Sequence, residues 1–210
     1  AKHAEDIGLL EAQLSRELSL DRDPSTARLR LAVTADSLAT WFVEAMAAVD
    51  GVLFDLVIDD QDHSADWLKR GEVSAAITAH GRDVTGCDAH ALGAFEYVAC
   101  ASPAYMTRWF PDGVCAASAS RAPCLVFNAK DALQRRWLET HVAPQLAPPA
   151  HFLPSTHAFT DAAVAGLGWG MNPLQLVRPL LQDGQLVPLL PRSDLAVSLS
   201  WQVSRVMAPA

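Results

Sequence analysis

The sequence contains no run of apolar residues long enough to cross a membrane, although half of its residues are apolar. A membrane-spanning helix needs roughly 18 or more consecutive apolar residues. The stretch from residue 1 to residue 20 is charged and lacks the apolar centre of a secretion signal. The sequence therefore predicts a cytoplasmic protein that makes no membrane contact and that has enough apolar residues to bury a core.

Motifs for catalysis, metal binding and cofactor binding are also missing. No two cysteines have CxxC spacing, the histidines show no HExxH pattern, and there is no GxSxG motif. Gly166, Gly168 and Gly170 follow a predicted helix, whereas a dinucleotide-binding glycine loop follows a strand. The sequence thus predicts no catalytic residue, no metal ion and no cofactor. It predicts free, mostly buried thiols at Cys87, Cys100, Cys115 and Cys124.

Basic residues are fewer than acidic ones. The chain has 16 lysines and arginines against 24 aspartates and glutamates, which gives a formal net charge of -8. A surface that holds nucleic acid through its phosphates needs a basic face, so this segment is not predicted to bind DNA by itself. The acidic balance suits a small cationic ligand, but it is also a common basis of solubility.

Strand-like and helix-like segments alternate along the chain. Residues 29–34, 53–58 and 74–78 have strand patterns, and residues 65–70 form a short helix between the last two. The helix after the first strand is expected to be capped by Ser37. Its apolar stripe consists of Leu38, Trp41, Phe42, Ala45, Met46 and Val49. This βαβαβ order predicts a parallel sheet with right-handed crossovers.

A second alternating block follows the first. After a fourth strand at 95–100, strands and helices alternate again from residue 124 to residue 189, and a last strand covers 195–203. The predicted fold is therefore α/β, with two lobes and a cleft between them. Ligands of such sheets bind at the carboxyl ends of the strands. In this sequence those ends are 34–37, 59–62, 78–80, 127–129, 155–157 and 171–172.

Several stretches together resemble the regulatory half of LysR-type transcription regulators. A leucine-spaced helix, LLEAQLSREL, comes first, followed by LRLAVTADSLATWF, WLKRGEVSAAIT, YVACASPAYMTRWFPDG and AFTDAAVAGLGWGMNP. The stretch TADSLATW, residues 34–41, is similar to the ArgP/LysG branch of that family, which controls the export of basic amino acids. The resemblance spans nearly the whole chain.

The resemblance implies a fold with two Rossmann-like lobes, like that of type-2 periplasmic binding proteins. Residues 1–20 would be a linker helix for dimerisation and residues 21–28 a linker. Lobe I would be 29–102 with 195–207, and lobe II would be 103–194. A winged helix-turn-helix would precede Ala1. The protein would form a homodimer or homotetramer and would reach DNA and RNA polymerase only as the full-length regulator of an exporter gene.

The resemblance also implies a lysine or arginine effector, which carries a carboxylate, an α-ammonium group and a distal cation. The residues predicted to bind it are Thr34, Ala35, Asp36, Ser37, Asp60, His80, Phe127, Asn128, Ser155, Thr156 and Met171. Helix N-termini and hydroxyls suit the carboxylate. Asp36 is either the partner of a ligand ammonium group or a helix cap or first-turn acid. The acids Asp59, Asp60 and Asp62 either lie in a solvated loop or include one that meets the distal cation. Phe127 either walls the ligand stem or belongs to the core.

Two other classes of function stay open at this point. A solute-binding protein that feeds a transporter would use the same lobes, although the leucine-spaced helix and the missing secretion signal speak against it. An enzyme would need acid–base residues, and a histidine beside acids in a cleft is too common to indicate one.

Overall fold

The computed structural model describes residues 27–60, 63–79 and 83–205. The predicted linker helix at 1–20, the linker up to residue 26 and the candidate His80 lie outside the described residues. The chain divides into two compact units: unit 1 comprises residues 1–93 and 198–210, and unit 2 comprises residues 94–197. Both boundaries between the units, after residues 93 and 197, lie inside a strand. The lobe boundaries predicted from the sequence are after residues 102 and 194.

Unit 1 contains the parallel strands that the βαβαβ order predicted. β1 (Ala27–Val33) pairs in parallel with β2 (Val52–Ile58) on one side and with β3 (Ala75–Ala79) on the other. β9 (Leu195–Ser204) runs antiparallel to β3. The core of unit 1 lies where these strands meet α2 (Ser64–Arg70), which ends as predicted at Gly71 with a φ of 65°.

The helix that follows β1, here α1, consists of three consecutive pieces. Ala35–Ser37 and Val43–Ala47 are α-helical, and Leu38–Phe42 between them is π-helical. Thr34 is the N-cap, because its hydroxyl accepts a hydrogen bond from the backbone N–H of Ser37 at 3.0 Å. The prediction that Ser37 caps this helix is therefore wrong, since Ser37 is a buried residue of the first turn.

The apolar stripe predicted for α1 is only partly buried. Phe42 lies in the core, with its ring 6.2 Å from the ring of Trp201 and 5.5 Å from that of Trp41. Ala45 is exposed, and Val49 is 48 % exposed and lies beyond the end of the helix. A π-helical turn contains an additional residue, which rotates everything after it by about 100° relative to the 3.6-residue repeat. The stripe read from the sequence assumed an uninterrupted α-helix.

Gln202 ties two separate segments of unit 1 together. The side chain is fully buried, donates to the Thr78 hydroxyl at 2.7 Å and accepts from the backbone N–H of Val84 at 2.8 Å. Replacing it by leucine leaves a buried hydroxyl and a buried N–H without these partners. We expect Gln202→Leu to lower the free energy of unfolding by about 2–4 kcal/mol. Urea denaturation measures this, and the exposed Gln182→Leu is the matched control; equal midpoints for the two variants would contradict it.

Unit 2 begins within β4 (Cys87–Ala101), which pairs antiparallel with β7 (Gly170–Pro173) and β8 (Val187–Pro188). β5 (Cys124–Val126) and β6 (Ala150–Phe152) pair in parallel. The helices of this unit are α3 (Pro103–Trp109), α4 (Ala116–Ala119), α5 (Leu133–His141), α6 (Thr156–Val164) and α7 (Leu174–Gln182). None of the helices within the described ranges is long and apolar enough to span a bilayer.

Two elements of the structure were not predicted from the sequence. β4 begins at Cys87, eight residues before the predicted start at Phe95. Most side chains of this first half are exposed, so no alternation of buried and exposed residues marks it as a strand. The short helix α4 lacks an apolar periodicity because four residues are too few to show one.

The core of unit 2 packs α6 and α7 against the strands. Val98, Cys100, Leu125, Phe159, Ala162, Ala163, Val177 and Leu186 form its main buried cluster. On α5, the fully buried Trp137 packs against Trp169 with ring centroids 5.2 Å apart and ring planes tilted by 50°, and it donates its indole N–H to the Ser193 carbonyl at 2.8 Å. Trp137 thus attaches helix α5 to the segments that carry Trp169 and Ser193.

All four cysteines are free, as predicted, but only Cys100 and Cys124 are buried. Burial raises the pKa of the Cys100 thiol to about 12 and that of Cys124 to about 11. Cys115 is exposed, and its hydrogen bond with the Ser118 side chain lowers the pKa of its thiol. At a given pH Cys115 therefore has more thiolate than an ordinary exposed cysteine.

We expect Cys115 to react first with a thiol reagent such as Ellman's reagent in the native protein. The rate should rise with pH and reach half its maximum at a lower pH than the rate of an ordinary exposed cysteine, because the pKa of the Cys115 thiol is lowered. Stopped-flow absorbance measures this rate, and Cys100 and Cys124 should react only after denaturation. If a Cys115→Ser variant keeps the fast phase, the assignment is wrong.

Candidate functional site

In unit 1, the first group of predicted site residues lies in the turn from β1 into α1. The buried Thr34 hydroxyl donates to the Ser37 hydroxyl at 2.8 Å while it accepts from the Ser37 backbone. Thr34 and Ser37 thus hold the helix start in one geometry. Ala35, Asp36 and Ser37 form the first turn, where backbone N–H groups give the helix end a partial positive charge. This end is suited to an anion such as a carboxylate.

Asp36 is a partly buried acid in that first turn. Its backbone carbonyl accepts a hydrogen bond from the Thr40 hydroxyl at 2.7 Å. A carboxylate at a helix N-terminus is stabilised by about 0.3–1 kcal/mol, so the charge at this position also supports the helix. The alternatives that the sequence left open, a first-turn acid and a ligand partner, are therefore compatible.

The second group in unit 1 is at the neighbouring strand end. Val33 of β1 pairs with Ile58 of β2, and the Asp59 N–H donates to the Val33 carbonyl at 3.1 Å. The turn after β1 and the loop after β2 therefore begin side by side at the carboxyl edge of the parallel pair. Thr34 and Asp60 are thus brought to the same edge of the sheet.

Asp59 and Asp60 have different roles in this loop. The Asp59 carboxylate accepts from the Trp67 indole N–H at 2.8 Å and from the Asp60 backbone N–H at 2.8 Å, so it holds α2 and the loop together. The Asp60 carboxylate lies 3.9 Å from His63 Nδ1, and its side chain is 20 % exposed. Asp59 therefore holds the loop, and Asp60 contributes a second, partly exposed carboxylate at this edge.

In unit 2, the parallel pair β5 and β6 produces a similar edge. Val126 pairs with Phe152, and the Leu153 N–H donates to the Val126 carbonyl at 2.9 Å. Phe127 and Asn128 follow the first strand, whereas Ser155 and Thr156 follow the second within a few residues. The structure thus brings these four predicted residues to one edge of unit 2.

The loop that carries Phe127 and Asn128 is held by a residue that the sequence reasoning missed. Asp131 accepts hydrogen bonds from the backbone N–H groups of Phe127 and Leu133, both at 2.9 Å. Asn128 accepts from the Lys130 N–H at 2.8 Å. Phe127 is half-buried, so part of its ring is accessible. An acid directly before a predicted helix is the signal that would have indicated Asp131.

Helix α6 begins with the pair Ser155 and Thr156. Ser155 is the N-cap and accepts from the Ala158 N–H at 3.4 Å, so the helix begins two residues before the predicted start at Ala158. Thr156 is buried, and its carbonyl accepts from the Thr160 hydroxyl at 3.2 Å. Unit 2 therefore presents a hydroxyl-capped helix N-terminus after a strand, as unit 1 does at Thr34.

A buried polar chain runs behind α6. The Thr160 hydroxyl donates to the Asn172 side-chain oxygen at 3.0 Å, and the Asn172 amide lies 3.4 Å from the sulfur of Cys100. Both Thr160 and Asn172 are buried, so this series of hydrogen bonds fixes α6 against β7 and β4.

Met171, a predicted site residue, is 3 % exposed. Across the described ranges, no group of three or more His, Cys, Asp or Glu side chains is placed to hold a metal ion.

Comparison with known proteins assigns the chain to a family. Residues 22–210 match the model of the LysR substrate binding domain. The chain is 40 % identical over 203 residues to the HTH-type transcriptional regulator ArgP of Pseudomonas fluorescens (strain Pf0-1), covering 95 % of this chain and 68 % of that protein. The crystal structure of ArgP from Mycobacterium tuberculosis superposes with a TM-score of 0.90 at 38 % identity, covering 99 % of this chain and 71 % of that one.

A third relative is a ligand complex. Full-length LysG from Corynebacterium glutamicum with bound effector Arg superposes with a TM-score of 0.82 at 29 % identity, covering 97 % of this chain and 70 % of that one. The predicted fold, α/β and like that of type-2 periplasmic binding proteins, is confirmed by these matches. The alternatives of a solute-binding protein and an enzyme are not retained, because the relatives are transcriptional regulators. The chain belongs to the LysR substrate binding domain family, the effector-binding part of LysR-type transcriptional regulators of the ArgP and LysG kind.

Proposed function

We propose that this chain senses a basic amino acid, arginine or lysine, and thereby controls transcription of an amino-acid exporter gene. The observation that carries the proposal is the similarity to LysG of Corynebacterium glutamicum with bound effector Arg. The two hydroxyl-capped helix starts, at Thr34 and Ser155, and the acid in the first turn of α1 supply the chemistry that such a ligand needs.

The proposed binding residues contribute different groups. Thr34, Ala35, Ser37, Ser155 and Thr156 lie at helix N-termini, whose N–H groups and hydroxyls suit the α-carboxylate. Asp36 is proposed as the partner of the α-ammonium group and Asp60 as the partner of the distal cation. A charge-assisted hydrogen bond contributes roughly 1.5–3 kcal/mol. The remaining proposed contacts are Phe127 along the aliphatic stem, with Asn128, Met171 and His80.

Sensing requires that the effector bind one conformation of the regulator more tightly than another, because a ligand with equal affinity for both shifts nothing. We propose that the full-length, cytoplasmic protein passes this preference to a DNA-binding winged helix-turn-helix. RNA polymerase would then be the partner at the promoter. Both partners are proposed to meet the full-length protein only. For DNA, the formal net charge of -8 on the present segment supports this, because phosphate contacts need basic residues.

A homodimer or homotetramer is proposed for the assembled regulator. The exposed large apolar residues of unit 1 include Val43 on α1, Val49 after it, and Leu53 and Ile58 on β2. Among the described strands β2 pairs only with β1, so its other side has unpaired backbone groups. Exposed apolar residues on an edge strand favour contact with another chain. Sedimentation velocity of the full-length regulator tests this proposal, and we expect the mass of a dimer or tetramer. A monomer at all concentrations would contradict it.

Calorimetric titration with matched pairs of amino acids tests the proposed function. Arginine and citrulline have similar shapes but differ in the distal charge, and lysine and norleucine differ in the same way. We expect arginine or lysine to bind about 10-fold or more tightly than its neutral counterpart, because one charged hydrogen bond is lost. Equal binding of arginine and citrulline would contradict the sensing of a basic side chain.

A further inference from the structure

The π-helical segment Leu38–Phe42 connects the two buried residues of helix α1. Among residues 35–47, which are described without a gap, only Ser37 and Phe42 are buried, at 0 % and 5 % exposed. In an α-helix, two residues five positions apart point about 140° away from each other. A π-helical turn closes on the fifth residue, so that residues five apart face nearly the same side. The π-helical segment therefore allows both Ser37 and Phe42 to reach the core.

Side-chain hydrogen bonds hold α1 in this arrangement, which we call the π register. Ser37 is tied to Thr34 by a contact of 2.8 Å between the hydroxyls and by the cap bond of its backbone N–H at 3.0 Å. Inside the segment, the Thr40 hydroxyl donates to the Asp36 carbonyl at 2.7 Å. A threonine that bonds the carbonyl four residues earlier weakens and bends a regular α-helix. Thr40 thus favours the wider turn.

The part of α1 that follows the π-helical segment is hardly packed. Val43–Ala47 contains no buried residue. Ala45 is exposed, and Val49, just beyond the helix, is 48 % exposed. Burial of apolar surface is the main favourable term in folding, and this part of the helix gains little from it. Few apolar contacts therefore oppose a rotation of the second half of α1.

The sequence of α1 also fits a second arrangement, the α register, in which the helix has no π-helical segment. Its apolar residues would then share one face: Leu38, Trp41, Phe42, Ala45, Met46 and Val49. Ser37 would point about 110° away from the middle of that face. The α register thus turns Ala45 towards the core and turns Ser37, together with Asp36, away from its present direction. The two registers exchange one set of buried residues for another.

We propose that α1 is a two-state switch, in which a basic amino acid stabilises the π register and its absence allows the α register. This inference rests on the proposed function, because the ligand acts through Asp36 and the first-turn N–H groups. In the π register the buried Ser37, bonded to Thr34, holds that turn in place. The effector therefore binds this register more tightly, which is the condition for a shift. The shift changes the surface of unit 1 at Ala45.

Fluorine NMR of the unliganded chain tests whether the two registers exist. Trp41 lies in the π-helical segment with its ring 5.5 Å from that of Phe42, so a 5-fluorotryptophan at this position reports the register. The chain has six tryptophans, whose signals are assigned by single Trp→Phe variants. We expect relaxation dispersion of the Trp41 signal on the μs–ms timescale, suppressed by saturating arginine. A flat dispersion profile of Trp41 without ligand overturns the proposal.

Deletion of Ala39 is the matched control for this exchange. It removes the additional residue, so that Ser37 and Phe42 become four positions apart and share one side of an ordinary α-helix. The first turn then keeps its present direction in the only register that buries both residues. We expect this variant to bind arginine and to show no dispersion at Trp41, with or without ligand. Dispersion of the same size as in the unsubstituted chain overturns the assignment to a change of register.

Calorimetric titration with arginine tests the coupling between the register and the effector site. Thr40→Ala removes the hydroxyl and introduces a stronger helix former. If the fraction of the chain in the π register falls from about nine-tenths to about three-tenths, the apparent Kd rises about 3-fold. Thr40→Ser should restore the affinity. Thr140→Ala should keep full affinity, because Thr140 makes the same bond, to the Arg136 carbonyl at 2.8 Å, on α5.

Combining the two changes separates the switch from a merely structural role of Thr40. Without Ala39 the α register offers no advantage, so Thr40→Ala should no longer weaken arginine binding. An equal loss of affinity with and without Ala39 overturns the switch. If the deletion variant does not fold, a loss of affinity in Thr40→Ala at unchanged Trp41 dispersion overturns it instead. No arginine binding by the unsubstituted chain contradicts the proposed function, whereas the unliganded Trp41 signal still decides whether the two registers exist.

Discussion

Replacing Asp36 by asparagine is expected to weaken arginine or lysine binding about 10- to 100-fold. The substitution keeps the size of the side chain and removes its charge, so a charge-assisted hydrogen bond of roughly 1.5–3 kcal/mol is lost. Asp36→Ala should have at least the same effect. Calorimetric titration measures both variants against the unsubstituted chain.

The fold should survive these substitutions. Asp36 lies in the first turn of α1, where its charge stabilises the helix by about 0.3–1 kcal/mol. The melting temperature should therefore fall only by a few degrees. Glu44→Gln, an exposed acid of the same helix, is the matched control for the loss of one charge and should keep full affinity. Unchanged affinity in Asp36→Asn would remove Asp36 from the site.

Gly170→Ala should destabilise unit 2 by about 3 kcal/mol, near the upper end of the usual cost of overpacking a core. A Cβ atom at Gly170 would lie 2.5 Å from two carbon atoms of the Phe159 ring and 3.2 Å from Leu125 Cβ. Phe159 is 5 % exposed and belongs to the core cluster, so its ring cannot turn away into solvent. Urea denaturation should show a lower midpoint at nearly unchanged slope.

A second substitution tests the physical cause. Phe159→Leu removes the ring that the new methyl group would meet, at the expense of a small cavity. The double variant Gly170→Ala, Phe159→Leu should therefore be more stable than the sum of the two single effects predicts. Additive effects would show that the steric clash is not the cause. Because α6 carries both Phe159 and the start at Ser155–Thr156, Gly170→Ala should also weaken effector binding.

Much of the architecture could be read from local patterns. Residues 29–78 showed three strands separated by two helices, and the structure confirms the parallel pairing of β1 with β2 and β3. The predicted ending of α2 at Gly71 is confirmed. These features depend on residues that are close in sequence, such as caps and short apolar repeats.

Other features depended on partners that periodicity does not reveal. The apolar stripe of α1 assumed a uniform helix, whereas the π-helical Leu38–Phe42 changes which residues face the core. The first half of β4 has no buried side to mark it as a strand. Ser37 and Thr34 are both common capping residues, and the hydrogen bond from the Ser37 backbone N–H to the Thr34 hydroxyl, not their residue type, makes Thr34 the cap.

The candidate site also has features that depend on nearby residues and features that depend on distant partners. Local patterns in the chain were sufficient to place Thr34, Asp60, Phe127 and Ser155 at strand ends and to indicate the family. Long-range packing determined the rest: Trp67 occupies the Asp59 carboxylate, Asn172 links Thr160 to Cys100, and Gln202 reaches Thr78 from 124 residues away. Buried polar groups need hydrogen-bond partners, and in this fold distant segments supply them. Which acid remains accessible to a ligand therefore follows from the packed structure and not from the order of residues.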